Sequence, residues 1–392
     1  MDILIISQFG STYSKVDNDR FLYIAQELSA NNNVEIVTSD FCHEKKIHRH
    51  ETEEKWNFPI TFISEPGYKK NVCLRRFYSH YIWGKNLIKY LASRKKPDVI
   101  YCAVPSLTGP RLVANYCKKN NIRFVVDIQD LWPEAFRLVF NVPIISTLIF
   151  LPFKIIANGI YKSADAIVAV SKTYADRAML VNEKNRCNRV VYLGTELKKF
   201  DDSSKKEPII EKKRDEIWIA YCGTLGSSYD LSSVIEAISV TGRKDLHFII
   251  MGDGPLMTQF DALARCKKIN ATFTGRLPYD VMVSLLCQCD IVVNPIMRGA
   301  AQSIINKHAD YVASGLPIVS TQENEEFVDL VNKYELGINC KNDDVFEIAN
   351  AIIKLADNEE LRLKLGRNAR KCAEELFDRK TSYRMIYEEI LK

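Results

Sequence analysis

The chain of 392 residues is 47% hydrophobic, which is enough apolar material for two sizeable cores. Its charged fraction of 26% and formal net charge of +5 are ordinary for a soluble globular protein and do not indicate a nucleic-acid partner. The 11 cysteines include no CxxC pair, and no His/Cys cluster has zinc spacing. These features disfavour a disulfide-rich secreted protein and favour a reduced, cytoplasmic compartment.

Two apolar stretches could be mistaken for targeting or membrane segments. Residues 1–7 are too short and too acidic for a signal peptide and are predicted to form a buried strand. Residues 142–153 are interrupted by Pro152 and closed by Lys154, and a bilayer-spanning helix needs about 20 apolar residues. We therefore expect no membrane-spanning helix.

Strand-like and helix-like patterns alternate along the chain from its first residues. A strand at 1–7, a helix near 18–30 and a strand at 34–38 have the spacing of a parallel, doubly wound sheet. The alternation runs to about residue 192, is interrupted by a charged segment, and begins again at Ile217. The fold class is therefore α/β, with two Rossmann-like domains facing each other across a cleft at the carboxyl ends of both sheets.

The same patterns predict the domain boundaries. The first domain is expected at 1–195, a linker at 196–216 and the second domain at 217–375. A C-terminal helix at 376–392 is expected to pack back on the first domain.

The most informative stretch runs from Asp290 to Ser320. An apolar strand feeds a loop of small residues, and the loop opens a helix whose N-cap is predicted to be Ser303 or Asn306. Gly315 is the expected end of that helix. The free N–H groups at the start of such a helix suit an anion such as a diphosphate.

Lys307 and Asp310 lie three residues apart and therefore share one face of this helix. The lysine can supply a cation for a phosphate, and the aspartate can accept hydrogen bonds from a ribose diol. A solvated ion pair between the two side chains explains the same spacing equally well.

Two glycine-containing stretches follow predicted strands. Residues 223–226, Gly-Thr-Leu-Gly, precede a helix and can offer backbone N–H groups to a phosphate. Residues 252–255, Gly-Asp-Gly-Pro, can do the same or form an ordinary turn. Neither stretch is GxGxxG, so the sequence does not indicate a dehydrogenase.

Acidic and aromatic residues follow the strand that ends near Ile128. Asp127, Asp130, Trp132 and Glu134 could grip sugar hydroxyls there, or Trp132 could be buried behind a polar turn. The DxD spacing at 17–19 falls just before the first helix, and we interpret it as an N-cap rather than a metal site.

No acidic residue lies between Glu65 and Asp98, where nine basic and six aromatic residues are interleaved. This composition suits an anionic membrane surface or a lipid pyrophosphate, with Lys69, Lys70, Arg75 and Arg76 as the first contacts. RNA could exploit the same composition, and a solvated helical face would need no partner.

Together these motifs resemble the GT-B glycosyltransferases of family 4, especially the bacterial capsule and O-antigen polysaccharide members. The resemblance rests on the two glycine stretches, on residues 273–276 and 290–295, and above all on Asp310 to Pro317. It implies a hexosyltransferase that holds a UDP-sugar in the second domain and an acceptor in the first. Transfer would retain the anomeric configuration and would need neither a metal nor a cofactor.

The resemblance also implies roles for individual residues. Catalysis is assigned to Lys307, Arg298 and Asp310. Donor binding is assigned to Gly223, Thr224, Leu225, Gly226, Gly252, Asp253, Gly254, Arg276, Leu277, Gln302, Ser303, Ile304, Ile305, Lys307 and Asp310. Acceptor binding is assigned to Gly10, Asp127, Asp130, Trp132 and Glu134.

The chain departs from the family at several of these positions. The family's E-x7-E pair falls on Gln302 and Asp310, and the Arg and Lys of its phosphate loop fall on Thr224 and Tyr229. We expect Lys307, with Arg298, to neutralise the diphosphate instead. An impaired nucleotide-sugar-binding partner of another transferase and a GT-B nucleotide-sugar epimerase are the alternatives.

The expected acceptor is a polyprenyl-pyrophosphate-linked sugar or an oligosaccharide. The expected location is therefore the cytoplasm, peripheral at the inner face of the cell membrane.

Overall fold

The computed structural model describes residues 1–11, 13–14, 18–52, 54–138, 142, 144–184, 189–300 and 303–392. Two residues considered in the sequence, Asp17 and Gln302, lie outside these ranges. The chain divides into two compact units, one of Met1–Val191 with Tyr383–Lys392 and one of Tyr192–Ser382. Both are α/β units with parallel sheets, as the sequence predicts.

The first unit contains a seven-stranded parallel sheet in the order β5-β2-β1-β6-β7-β8-β9 and a small antiparallel pair, β3-β4. Its strands are β1 (Asp2–Ser7), β2 (Asn33–Ser39), β3 (Phe41–Cys42), β4 (Ile47–His48), β5 (Ile60–Ile63), β6 (Val99–Val104), β7 (Arg123–Ile128), β8 (Ala166–Ala169) and β9 (Arg189–Val190). Its first five helices are α1 (Arg20–Ser29), α2 (Leu74–Ser93), α3 (Thr108–Asn120), α4 (Ile145–Ser163) and α5 (Lys172–Met179), with a 3-10 turn at Glu134–Leu138.

Local chemistry explains where these elements begin and end. The side chain of Asp19 accepts a hydrogen bond from the Leu22 N–H and so caps α1. Asn121 ends α3 in the left-handed conformation, which Asn tolerates better than most residues. The central strand β6 is buried along its whole length, as expected for a parallel strand covered by helices on both faces.

Helix α4 differs from the prediction. The sequence suggested that Pro152 interrupts the apolar stretch, but the helix continues through it to Ser163. Proline removes one backbone donor from the helix without forcing it to stop. Among the described residues, no helix is both long and apolar enough to cross a membrane.

The second unit contains a six-stranded parallel sheet in the order β12-β11-β10-β13-β14-β15. Its strands are β10 (Ile217–Cys222), β11 (Leu246–Met251), β12 (Asn270–Gly275), β13 (Ile291–Asn294), β14 (Ile318–Ser320) and β15 (Gly337–Asn339). Its helices are α6 (Leu197–Ser204), α7 (Leu231–Val240), α8 (Met257–Cys266), α9 (Tyr279–Leu286), α10 (Asn306–Ala313), α11 (Glu325–Tyr334), α12 (Val345–Ala356), α13 (Glu359–Cys372) and α14 (Arg379–Ser382), with a π-helical turn at Ala373–Phe377.

Apolar cores cover both faces of this second sheet. Along β10, Trp218 and Ala220 contribute to one core, and Ile219 and Tyr221 contribute to the other. The alternation follows from the two-residue period of a strand. Because both faces are covered, polar ligand groups are left to the ends of the strands.

The predicted linker at 196–216 is not a simple connection. It begins with α6, whose Leu197 and Phe200 belong to a core of the second unit. The hydrophobic spacing within this charged segment was too short to be recognised as a helix in the sequence.

The predicted C-terminal helix at 376–392 also divides differently. Residues up to Ser382 remain with the second unit, and the first unit gains only Tyr383–Lys392. The last helix, α15 (Arg384–Ile390), buries Ile386 and Ile390 in the core of the first unit.

Candidate functional site

Two glycine-containing turns lock together at the carboxyl ends of β10 and β11. The N–H of Leu225 donates to the carbonyl of Asp253 at 2.9 Å. A Cβ atom at Gly252 would overlap the carbonyl of Gly223, and one at Gly254 would overlap the carbonyl of Leu225. Glycine is therefore required where the two backbones approach, and the predicted phosphate loop is a rigid pair of turns.

The amine of Lys307 lies against this pair of turns. Its Nζ donates to the Tyr221 hydroxyl at 3.0 Å and lies 4.2 and 3.7 Å from the ring centres of Tyr221 and Tyr229. A Cβ atom on Gly223 would lie only 2.8 Å from this Nζ. The first turn of α10 thus brings Lys307 to the loop that the sequence assigned to phosphate.

Lys307 is 8% exposed, and no carboxylate of the described residues forms an ion pair with it. Burial lowers the pKa of Lys307 to about 7. The aromatic rings stabilise the cation only in part. An anion beside Gly223 would supply the missing opposite charge.

Asp310 is also buried, and its carboxylate is held by a different tyrosine. Its Oδ1 accepts a hydrogen bond from the Tyr279 hydroxyl at 2.8 Å, and that hydroxyl also lies 2.8 Å from Thr195 Oγ1. Burial raises the pKa of Asp310 to about 6, against the opposing effect of Tyr279. The alternative of a solvated ion pair with Lys307 is wrong, because each side chain is buried against its own tyrosine.

The start of α10 differs from the prediction. Ile305 is the N-cap, and its N–H donates to Nδ1 of His308 at 3.2 Å. Asn306 is already the first helical residue. Ser303 instead donates to Glu326 at 2.8 Å, because it faces α11. The end of the helix agrees with the prediction. The helix ends at Ala313, and Gly315 follows the C-cap Ser314 in the left-handed conformation, with a φ of +68°.

Arg298 does not join Lys307. Its exposed guanidinium pairs with Glu323 at 3.3 Å and with Asp343 at 3.7 Å.

Of the other predicted donor residues, Leu225 and Ile304 are buried in the fold. Three others are exposed, namely Thr224, Asp253 and Arg276. Leu277 packs against a core, and Gly226 and Ile305 are partly exposed.

In the first unit, a cavity of about 300 Å³ opens at the carboxyl ends of β1, β6 and β7. It includes Asp130 and Trp132, two of the predicted acceptor residues. The ring of Trp132 is 6% exposed and packs against His80 and Phe136. Little of the ring face is therefore accessible for stacking on a sugar.

The other predicted acceptor residues have structural partners. Asp127 is fully buried and forms a two-point ion pair with Arg20, at 2.9 and 3.2 Å. Its carboxylate is thus not available to a sugar, and the prediction fails at this residue. Glu134 pairs with Arg177 at 2.5 Å. Gly10 accepts a hydrogen bond from Arg49 at 3.1 Å through its carbonyl.

Sequence reasoning missed the tyrosines that hold Lys307 and Asp310. Tyr221 is the penultimate residue of β10, a position that parallel sheets often use for ligands. Tyr279 begins α9 and carried no recognisable signal. Their roles arise from contacts distant in the sequence.

The chain was compared with known proteins. A profile of the family described as "Glycosyl transferases group 1" matches residues 216–358. An uncharacterized glycosyltransferase from Methanocaldococcus jannaschii is 28% identical over 248 residues, which are 61% of this chain and 62% of that relative. The chain thus aligns with about three fifths of that relative's length.

Two solved structures share the fold over nearly their whole length. HepE from Anabaena, crystallised in complex with UDP, has a TM-score of 0.72 at 15% identity, covering 99% of each chain. Sucrose-phosphate synthase from Thermosynechococcus elongatus has a TM-score of 0.75 at 15% identity, covering 98% of this chain and 97% of that one. Residues 216–358 are therefore similar to the group 1 glycosyl transferases, and the chain has the GT-B fold.

Proposed function

We propose that this protein is a hexosyltransferase that uses a nucleoside-diphosphate sugar, with UDP as the nucleotide. The observation that carries the proposal is the amine of Lys307, which is buried beside Gly223 and has no carboxylate partner in the described part of the chain. A diphosphate at this position would receive a cation and backbone N–H groups together. The UDP bound by HepE of the same fold agrees with this choice.

In the proposed reaction, the bond between the anomeric carbon and the diphosphate oxygen breaks. Negative charge grows on the leaving phosphate, and Lys307 stabilises it. The acceptor hydroxyl attacks on the same face of the sugar, its oxygen forms the new bond to the anomeric carbon, and its proton passes to the departing phosphate oxygen. The configuration is then retained, and neither a protein base nor a metal is required.

Asp310 is proposed to hold the ribose of the donor. A carboxylate can accept hydrogen bonds from both hydroxyls of a diol. Tyr279 fixes one carboxylate oxygen, which limits how the side chain can turn. Arg298 has no role in this proposal, since two carboxylates already neutralise it.

The acceptor is proposed to be a lipid-linked or free saccharide bound by the first unit at a membrane surface, as in surface polysaccharide biosynthesis. An apolar patch supports the membrane contact. It is formed by exposed side chains of α2, of the bend just before it and of α4, and the two helices meet where Phe77 contacts Phe153 at 5.4 Å between ring centres. The patch consists of Val72, Leu74, Tyr78, Tyr81, Ile145, Leu148, Ile149, Leu151 and Ile155.

Charge around the patch favours an anionic bilayer. Exposed Lys69, Lys70, Arg75 and Lys154 flank it, and the sequence has no acidic residue at 66–97 or at 135–164. Pairing two copies through this face would bring like charges together, whereas an anionic lipid surface would neutralise them. Arg76 is excluded from the membrane contact, because it lines the cavity.

The test is incubation with UDP-sugars, with and without a polyprenyl-pyrophosphate-linked acceptor, while free UDP and sugar products are measured. A transferase releases UDP in step with acceptor glycosylation. An epimerase would convert the donor sugar without an acceptor, and an impaired binding partner would bind UDP and turn over nothing. Chelation by EDTA and NMR of the new linkage test metal independence and retention.

A further inference from the structure

We propose that the cavity of the first unit selects a saccharide that carries an anionic group, a phosphate or a carboxylate, and that Arg76 makes the selection. The inference rests on the proposed function, in which this unit takes the acceptor. It adds a specificity-determining residue that the sequence had grouped with surface cations.

Arg76 points into the cavity and is held there by aromatic rings. Its guanidinium carbon lies 4.6 Å from the ring centre of Trp132, 5.6 Å from Tyr68 and 5.7 Å from Phe9. One N–H group donates to the carbonyl of Asn71 at 3.0 Å. Stacking on rings keeps the planar guanidinium in one orientation, so it can present its donors in a fixed direction.

Part of this guanidinium is not used within the fold. Within the described ranges, its Nε is buried without a hydrogen-bond partner, and no carboxylate forms an ion pair with the guanidinium. An unpartnered charged donor in such a place is costly unless a ligand completes it. Burial lowers the pKa of Arg76, and this effect exceeds the opposing effects of Tyr68, which shares a hydrogen bond with the guanidinium, and of the charge on Asp130.

The neighbouring histidines do not add positive charge. Burial lowers the pKa values of His43 and His80 to about 3, helped by the charges of Lys46 and Arg76 at His43 and by that of Arg76 at His80, so both imidazoles are neutral at pH 7. Among the described residues that line the cavity, Arg76 is therefore the cation that can attract an anion, whereas Lys46 lies behind His43 and is not part of the lining. An arginine remains protonated in such surroundings.

Acceptor groups lie in the same cavity. Gln8 is 4% exposed, and its Nε2 donates to Glu65, whereas its Oε1 has no partner among the residues that the structure describes. Asp130 adds a carboxylate. These oxygens suit the hydroxyl donors of a sugar, whereas Arg76 suits an anionic substituent. A charged glycoside satisfies both requirements, and a free inorganic anion satisfies only one.

The experiment measures binding to the full chain, saturated with UDP, by calorimetry. The probes are glucose 1-phosphate, glucuronic acid, glucose and inorganic phosphate. We expect at least one of the two anionic sugars to bind at least about tenfold more tightly than glucose and inorganic phosphate. Its anionic group can accept a charge-assisted hydrogen bond from Arg76 while its hydroxyls bind the acceptor oxygens. Preference for one anionic sugar identifies whether phosphate or carboxylate is the natural group.

Three variants complete the test. Arg76→Gln should abolish the preference, Arg76→Lys should keep part of it, and Arg75→Gln should keep all of it, because Arg75 is an exposed neighbour of the same charge. The inference is overturned if the wild type binds the charged and neutral sugars equally, binds neither anionic sugar, or keeps its preference in Arg76→Gln. Failure of the proposed function would show separately, as loss of UDP binding or of acceptor-dependent UDP release.

Discussion

The amine of Lys307 lies 3.7 Å from the ring centre of Tyr229, a residue at which the resembling family carries a lysine of its phosphate loop. The cation is thus provided by α10 and rests on the aromatic ring that replaces the loop lysine. This relationship gives the first two predictions.

Replacing Lys307 by alanine should lower turnover by roughly two orders of magnitude, because the leaving diphosphate loses its buried cation. The measurement is acceptor-dependent UDP release, with circular dichroism to check the fold. Lys354→Ala, which removes an exposed lysine from α12, is the control and should leave turnover unchanged. Wild-type turnover in Lys307→Ala would exclude Lys307 from the reaction.

Binding of UDP should take up protons at pH 8. The pKa of Lys307 is about 7 in the free protein, so most of the amine is then uncharged, and a bound diphosphate should raise that pKa. Calorimetry in buffers of different ionisation enthalpy should detect an uptake approaching about one proton, and Lys307→Met should lack it. Equal uptake in both proteins would contradict the assignment.

The same pKa shift has a consequence for the protein without ligand. The folded pKa of Lys307 is lowered from 10.5, so between about pH 7 and 10.5 the unfolded chain binds more protons than the folded one. This residue therefore makes the free energy of unfolding increase as pH rises through that window. Chemical denaturation at several pH values should show a smaller increase in Lys307→Met.

Gly223 and Gly226 form a matched pair for testing the loop. In Gly223→Ala the new Cβ would meet the Lys307 amine, and a φ of +140° disfavours any side chain. We expect weaker UDP binding and a loss of about 1–3 kcal/mol in the free energy of unfolding. In Gly226→Ala the new Cβ would meet only Thr224 at 3.7 Å, and stability should change by less than about 0.5 kcal/mol. Equal effects would mean that the loop geometry is wrong.

Asp127 should prove to be a structural residue. Asp127→Ala leaves the buried Arg20 without its carboxylate and should cost about 3–5 kcal/mol of unfolding free energy. Asp176→Ala breaks a surface pair with Lys172 and should cost less than about 1 kcal/mol. Denaturant unfolding compares the two variants. A stable Asp127→Ala protein with impaired acceptor binding would restore the sequence-based prediction.

The apolar patch should bind anionic vesicles. Leu148→Glu should reduce sedimentation with them, because it places a negative charge on an exposed apolar position of the patch. Leu180→Glu alters another exposed leucine of the first unit, outside the patch, and should have no effect. Binding should also weaken near 1 M salt, where the screening length is about 3 Å. Equal binding to neutral and anionic vesicles would rule out the electrostatic part.

The alternation of strand-like and helix-like patterns predicted the parallel sheets correctly, because the apolar residues that bury a strand lie within the strand itself. The strands predicted at 1–7 and 34–38 form at Asp2–Ser7 and Asn33–Ser39, and the second sheet begins at Ile217 as predicted. The glycines at 223 and 252 were also recognised, since close backbone contact leaves few other choices.

The remaining features depend on partners distant in the sequence. Asp127 looked like a ligand because nothing near it in the sequence reveals Arg20. Arg76 looked like a surface cation, as Arg75 is, because both residues belong to one basic run. Only the packing of α2 against Trp132 separates the two arginines. Periodicity predicts which elements form, but it does not predict which polar groups meet.

The final segment, Tyr383–Lys392, completes the core of the unit that the chain began. Glu389 there receives hydrogen bonds from Arg189, and its carbonyl receives them from Arg123. The first unit is therefore made of two pieces of chain joined through the whole of the second. Truncation of the chain before Tyr383 would destabilise the first unit, although the deletion lies at the opposite end of the sequence, and would leave the adjacent second unit folded. A peptide of residues 383–392 added in trans should then restore the folding of the first unit in the truncated protein.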